Sequence, residues 1–420
     1  MIQLKQGLKL MVEKIKKRKY ITKKLLNLKF LNYFGISIIN LDYLLYVSHY
    51  KWIFKIFKIP YFKINFLQSD INQIDKKIIS RIKKSYSISM SSKQGQNISG
   101  MWNYSLNQYY HEIHDSILNK DNTLKLFNNM FRSKFVFGIA SGDIVKHSNS
   151  FLGKKIWNIK YIDSIISLSS YLGCTRYESP HQGDYAQYSK VDIENIIVSI
   201  ENQIKSNISF PNIGSPYGII IKKTLLTQED LEHLYAALRI KEYLTHLGLL
   251  KESNKFNFLE IGGGYGGLCR WLNIILEKNI NTYTIVDLPL ISQIQAFFLA
   301  SFFKKDNIVL ANEKNNLNSK IILKTNTEYL NDIENNYNIV INQNSMPEMT
   351  DEIVEEYLNK ISNDNLKYFI SFNHEAISTH FNQKQVSVRE ICEKNPKLNL
   401  ILRNPSFMRN GYLEEIYNLR

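Results

Sequence analysis

Cysteine is scarce in this chain: three residues, Cys174, Cys269 and Cys392, among 420. Their scatter offers neither metal-ligand spacing nor a disulfide framework, which points to a reducing compartment and to thiols used as small core residues. Long uncharged apolar runs are missing as well. The most apolar early stretch, Phe30 to Val47, is interrupted by Asn32, Asn40 and Asp42, which makes it a poor membrane span. It has no small-residue cleavage site and so does not read as a signal peptide. The chain also shows no internal repeat, no glutamate-bearing zinc motif and no N/D-P-P-Y/F element of the kind that grips a flipped base.

What is present is a globular composition, 44% hydrophobic and 12% aromatic. Its length suits two or three domains. The net charge of +15 is unevenly placed: residues 1–60 hold thirteen Lys/Arg against Glu13 and Asp42, leaving only +4 for the rest. In this leader Leu8, Met11, Val12 and Ile15 lie at helical spacing, with Lys9, Lys14, Lys16 and Lys17 mostly opposite. An aromatic–basic run, Lys51 to Lys58, follows. Two readings stay open: the segment lies on an anionic membrane surface, or it packs its apolar side inward as a helical subdomain. With charge confined to the leader, nucleic acid is not an expected partner.

The pattern divides into a basic leader (1–60), a mostly helical region (61–225) and an α/β region (226–420). Helices are expected at Ile71 to Lys84, Tyr104 to Leu118 and Trp157 to Leu172. Thr227 reads as a helix cap with acids in the first turn, Glu229 and Asp230. Strands are expected at 256–261, Tyr283 to Val286, Lys320 to Leu323, Tyr337 to Ile341, Tyr368 to Phe372, Leu398 to Arg403 and Tyr412 to Tyr417, with helices between the first five. That rhythm fits a doubly wound sheet whose edge turns antiparallel.

Five glycines occupy six positions after the first strand: Gly262, Gly263, Gly264, Gly266 and Gly267, interrupted by Tyr265. Strand, glycine turn and helix describe a nucleotide cradle at the carboxyl edge of a parallel sheet. Asp287, at the end of the second strand and followed by Leu288, is placed to accept hydrogen bonds from two ribose hydroxyls. The glycines alone fit two cofactors. Gly262, Gly264 and Gly267 match the dinucleotide spacing; Gly262, Gly264 and Gly266 match the E/D-x-G-x-G-x-G turn of S-adenosylmethionine (SAM) enzymes. Glu260 favours SAM, because a carboxylate there opposes a pyrophosphate but suits an ammonium and a sulfonium.

Several runs resemble a bacterial sugar O-methyltransferase family of surface-polysaccharide gene clusters. They are Phe210 to Gly218, His233 to Ala237, Leu259 to Gly267, Ile285 to Pro289, Asn344 to Met349 and Gly411 to Tyr417. The resemblance covers about 208–420, is thinner over 100–207, and departs at Ser215, where Asn is expected. It implies a class I methyltransferase with a Rossmann-like seven-stranded sheet, SAM as donor, and a sugar, nucleotide-sugar or lipid-linked glycan hydroxyl as acceptor. A cytoplasmic enzyme, or one peripheral at the inner face of the membrane, follows from that role. Asp287-Leu-Pro289 also resembles plant-type phenolic O-methyltransferases, but their catalytic His has no counterpart in Ser345 to Asp351.

A sugar hydroxyl is a poor nucleophile, so a base with a pKa near the working pH is expected. His374, after the fifth strand, leads; Glu348, after the fourth, is second; Glu375 could orient His374 or bind sugar. Asn342 and Asn344 could hydrogen-bond cofactor or sugar. Glu348, Asp351 and Glu375 permit a divalent metal without demanding one. His111, His114 and Asp115 read as a solvated helix face. Arg176 to Glu178 and His181 to Asp184 read as a loop before the α/β region.

Overall fold

The computed structural model describes residues 60–92, 98–132, 151–177 and 192–419, apart from a few short gaps. The basic leader, with its expected membrane-surface contact, and residues 178–191 lie outside the described residues, Pro60 aside.

The N-terminal region is mostly helical. After strand β1 (Lys63–Phe66) come α1 (Lys76–Ser91), α2 (Gly100–Tyr109), α3 (His111–Asn119), α4 (Thr123–Asn128), α5 (Phe151–Tyr171) and α6 (Ile193–Ile204). The helix expected at 71–84 starts later because two caps compete. Asp70 caps the start of a short 3-10 turn, and Asp75 then accepts from Lys77 N–H to begin α1. The run at 104–118 is two helices, α2 and α3. The sequence reading missed a small antiparallel sheet in which β2 (Tyr217–Ile221) pairs with both β1 and β3 (Thr224–Leu226). Its outer strands are short and far apart in sequence, so no local periodicity marks them.

Thr227 caps α7 (Gln228–His246), accepting from the Asp230 N–H. Then follow β4 (Phe256–Ile261), α8 (Gly267–Ile275), β5 (Ile280–Asp287), α9 (Pro289–Phe302), β6 (Ile308–Val309), β7 (Ile321–Thr325) and α10 (Asn326–Asn331). The chain continues with β8 (Ile339–Gln343), α11 (Asp351–Asn363), β9 (Tyr368–His374), the β10–β11 hairpin (Thr379–His380, Gln383–Lys384), α12 (Val388–Lys394), β12 (Leu398–Pro405) and β13 (Tyr412–Leu419). The main sheet has the order β12-β13-β9-β8-β4-β5-β7-β6, with only the β13 pairings antiparallel. This is the class I methyltransferase order with one strand more than the seven expected. The addition is β6, whose two residues are too short to leave a pattern.

Alternation along β4 divides the core. Phe256 and Phe258 face one cluster, Leu259 and Ile261 the other. The first cluster joins α7, α8 and α9 to the N-terminal helices; α5, whose buried residues run round its whole circumference, is enclosed there. The second lies under α10, α11 and α12. Polar ties add to the first: Arg81 of α1 pairs with Glu313 at 2.6 Å, and Ser85 Oγ donates to Ala311 O at 2.8 Å. Among the described residues, no helix is long and apolar enough to cross a membrane.

Candidate active site

A cavity of about 250 Å³ opens at the carboxyl ends of the parallel strands. Five of the parallel strands bring a residue to it at or next to their carboxyl ends: Glu260 on β4, Asp287 on β5, Asn326 after β7, Gln343 on β8 and His374 on β9. Other elements complete the wall. The first two turns of α7 supply Glu229, Glu232 and His233, α2 supplies Trp102, and the β12–β13 connection supplies Arg409, beside Tyr412 of β13.

The glycine turn makes one end of the cavity. Gly262 has φ +72°, and a Cβ there would stand 2.1 Å from Ser345 Oγ. Gly264 has φ +52° and open space beside it, so the backbone itself faces the cavity. Asp287 is fixed by three donors: Gly263 N–H at 2.9 Å, Leu288 N–H at 2.8 Å and Gln295 Nε2 at 2.7 Å. Burial outweighs them and raises its carboxyl to about 7. Glu260 takes a hydrogen bond from Tyr283 OH at 2.9 Å. Burial, with Asp287 nearby, lifts it to about 8. Among the described residues, Asn326 Oδ1 is buried without a hydrogen-bond partner at this end of the cavity. Gly262, Gly263, Gly264 and Leu288 line the cavity as the sequence suggests.

Three cofactor candidates have other roles. Asn342 is fully buried behind the turn; its Nδ2 donates to Ile261 O at 2.8 Å and to Ser345 Oγ at 2.5 Å, and its Oδ1 accepts from Asn373. It is a brace for β4 and β8 and does not line the cavity. Gly266, at φ +95°, caps α8 and also stays outside the wall. Tyr265 touches the cavity, but its ring is 1% exposed and packs edge-on against Phe131, Phe298 and His233.

The other end holds the catalytic candidates. Glu348 lines the cavity half-buried, with the Trp102 indole on the same wall. Burial raises its carboxyl to about 7, with Trp102 and Arg409 pulling down and Asp287 pushing up. His374 stacks edge-on against Tyr412, and its Nδ1 accepts from Ala376 N–H at 3.2 Å. A neutral ring then carries its proton on Nε2 and offers a donor there, which suits it less as a base. Glu375 is a correction. It turns away from the cavity to bind Arg403 at 2.7 and 2.9 Å, and that guanidinium holds its carboxyl below the ordinary range. It neither orients His374 nor lines the site.

Arg409 lies 3.8 Å from the centre of the Tyr412 ring and 3.4 Å from Glu232. Behind them Lys160 of α5 is 7% exposed, and burial drops its amine to about 7 despite Glu232 nearby. His233 hydrogen-bonds Tyr265 OH at 3.2 Å. Burial, with Arg270 and Arg409 nearby, pushes it to about 3, so it stays neutral.

Sequence reasoning missed Trp102, Glu229, Glu232, His233, Arg409 and Tyr412 as wall residues. The acid-rich start of α7 was the available signal, and it was absorbed by the capping explanation. The presumed solvated helix face is also corrected: His114 is half-buried, its Nδ1 2.8 Å from Tyr86 OH. Among the described residues, no three His, Cys, Asp or Glu side chains gather as metal ligands.

A spermine/spermidine synthase domain model matches residues 237–387, less than half of the chain. That span takes in the glycine turn, Asp287, Glu348 and His374, but not Trp102, Glu229, Glu232, His233, Arg409 or Tyr412. No curated protein matches. Magnesium protoporphyrin IX methyltransferase from Synechocystis PCC 6803, solved with SAM, is 13% identical over 45% of this chain and 82% of its own, with a TM-score of 0.31. Mitomycin 7-O-methyltransferase is 10% identical over 62% of this chain and 94% of its own, at 0.31. An O-methyltransferase family 2 protein from Planctomyces limnophilus, solved with apigenin, is 8% identical over 61% and 92%, at 0.30. Likenesses at this level carry no information on substrate.

Proposed function

We propose that this chain is a SAM-dependent O-methyltransferase whose acceptor is a sugar hydroxyl. The observation that carries the reading is a single cavity joining the glycine turn and Asp287 to a carboxylic acid, Glu348, poised near neutral pH between aromatic walls.

The donor end fits SAM. Asp287, locked by three donors, keeps acceptor capacity for ribose hydroxyls. Glu260 favours a cationic group, the bare backbone at Gly264 allows close approach, and Asn326 Oδ1, unpaired among the described residues, suits an amino donor of the base. When bound, SAM supplies a methyl group on a positively charged sulfur. The chain then has to hold an acceptor oxygen in line and remove its proton. Glu348 accepts that proton, its pKa near 7 matching the working range. Trp102 and Tyr412 provide faces for a sugar ring, and Arg409, Glu232 and Gln343 provide polar contacts. Holding the acceptor in place supplies much of the rate.

A second reading, aminopropyl transfer from decarboxylated SAM to an amine, draws support from the domain match over 237–387 and from the carboxyl-rich wall. Incubating the full-length protein with methyl-labelled SAM and a panel of nucleotide sugars and lipid-linked glycans separates the two. Label in a glycan supports methyl transfer. Product only with decarboxylated SAM and a diamine replaces it with the second reading.

A further inference from the structure

Helix α2 belongs to the N-terminal region, yet it forms part of the wall around Glu348. Two unlike features tie it there. The Trp102 indole lies on the same cavity wall as the Glu348 carboxyl and lowers its pKa. Separately, the Met101 N–H donates to Gln383 Oε1 at 2.8 Å, across 282 residues of sequence. The Nε2 of Gln383 donates to the Glu348 carbonyl at 3.1 Å and to the Met349 carbonyl at 2.9 Å.

The logic is one of unsatisfied backbone groups. Met101 lies in the first turn of α2, where amide N–H groups have no partner within the helix. Glu348 ends a short 3-10 turn, Met346–Glu348, whose last carbonyls are equally short of donors. A glutamine amide has both a donor and an acceptor end. Set between the two elements, it satisfies both and fixes one against the other. Its own position comes from the β10–β11 hairpin, held by the pairings of Thr379 with Lys384 and His380 with Gln383.

We infer that Trp102 and Gln383 are positioning residues for Glu348: Gln383 locks α2 to the backbone that carries Glu348, and Trp102 stabilises the carboxylate from that helix. The clamp makes the acid–base behaviour of Glu348 depend on an element far outside the α/β region. It rests on the reading of Glu348 as the base. The charged groups facing that carboxyl are Arg409, from the β12–β13 connection, and Asp287, at the end of β5; His374 of β9 lines the same cavity.

The test uses the full-length chain with ¹⁵N-labelled indoles and requires no substrate or cofactor. The chain has four tryptophans, and Trp102→Phe identifies the Trp102 Nε1–H signal by its loss. In the wild type that signal shifts with pH with a midpoint near 7. In Glu348→Gln the shift disappears. In Gln383→Ala the midpoint rises by about one unit, because a loosened indole stabilises the carboxylate less. A Trp102 signal that titrates equally in Glu348→Gln, or a Gln383→Ala midpoint equal to the wild type, overturns the inference. With an acceptor in hand, the acid limb of the methyl-transfer rate moves the same way in Trp102→Phe, and an unmoved limb overturns it. Absence of methyl transfer bears on the proposed function alone, because the indole titration stands without it.

Discussion

Replacing Asp230 with Asn should be among the most damaging single changes in this protein. Asp230 and Arg270 are each 2% exposed in their side chains, and Arg270 Nη2 donates to both carboxylate oxygens, at 2.7 and 2.6 Å. The guanidinium sits in an aromatic box, 4.3 Å from the Trp271 centroid, 5.2 Å from Phe302 and 5.8 Å from Phe210. Its Nε has no hydrogen-bond partner among the described residues, so Asp230 is its counter-charge. Asn keeps the shape and removes the charge, leaving a cation buried alone. Breaking such a pair costs about 3–5 kcal/mol. For an α/β unit of this size that corresponds to a fall in Tm of about 10 °C. Removing both charges, as in Asp230→Leu with Arg270→Met, should recover most of the loss, because the desolvation cost disappears with the pair. Thermal unfolding of the wild type, the single variant and the double variant reads this directly. A single variant within 2 °C of wild type, a margin of about 1 kcal/mol, or a double variant no better than the single, would refute the reasoning.

Three further outcomes follow from the site. Glu260 is raised to about 8 by burial, so ionising it costs more in the fold than in the unfolded chain. Its contribution is therefore most favourable below its ordinary pKa and declines as pH rises toward 8. Glu260→Gln should accordingly raise the Tm of the ligand-free protein more at pH 8.5 than at pH 5, and equal effects at both would contradict the assignment. Glu348→Gln should lower methyl transfer by roughly 10²–10⁴-fold with donor affinity retained, whereas Glu375→Gln should change the rate less than about threefold, because its exposed pair with Arg403 contributes at most ~1 kcal/mol. Gly262→Ala places a methyl 2.1 Å from Ser345 Oγ at a positive φ; it should cost about 2–4 kcal/mol in denaturant unfolding and weaken donor binding, and a fully stable variant would show that Ser345 moves freely.

The parts of the fold that were legible in the sequence are those made by local pattern. The β4 limits, the glycine turn, Asp287 at the end of β5 and the Thr227 cap each rest on residues within a few positions of one another. The cavity's second wall was not legible, because it is assembled by distance. Trp102 joins Glu348 on the cavity wall through the packing of a helix whose own sequence gives only weak amphipathic spacing. Arg409 and Tyr412 reach the site because β13 inserts beside β9. Polar strand-end residues looked alike from the sequence. Asn342 and Glu375 sit at the carboxyl ends of the same strands as Glu348 and His374, but Asn342 turns into a buried brace and Glu375 finds Arg403. Only the neighbours decide such cases, and those come from elsewhere in the chain.

The central claim is that the turn at 262–267, together with Asp287, binds SAM for methyl transfer. Calorimetric titration of the full-length protein with SAM at pH 8 tests it most directly, with Asp287→Ala as the paired variant. The account predicts saturable one-site binding, weakened at least tenfold by Asp287→Ala, since two charge-assisted hydrogen bonds at ~1.5 kcal/mol each would be lost. Binding of NAD(P)H without SAM, or SAM binding unaffected by Asp287→Ala, would contradict it.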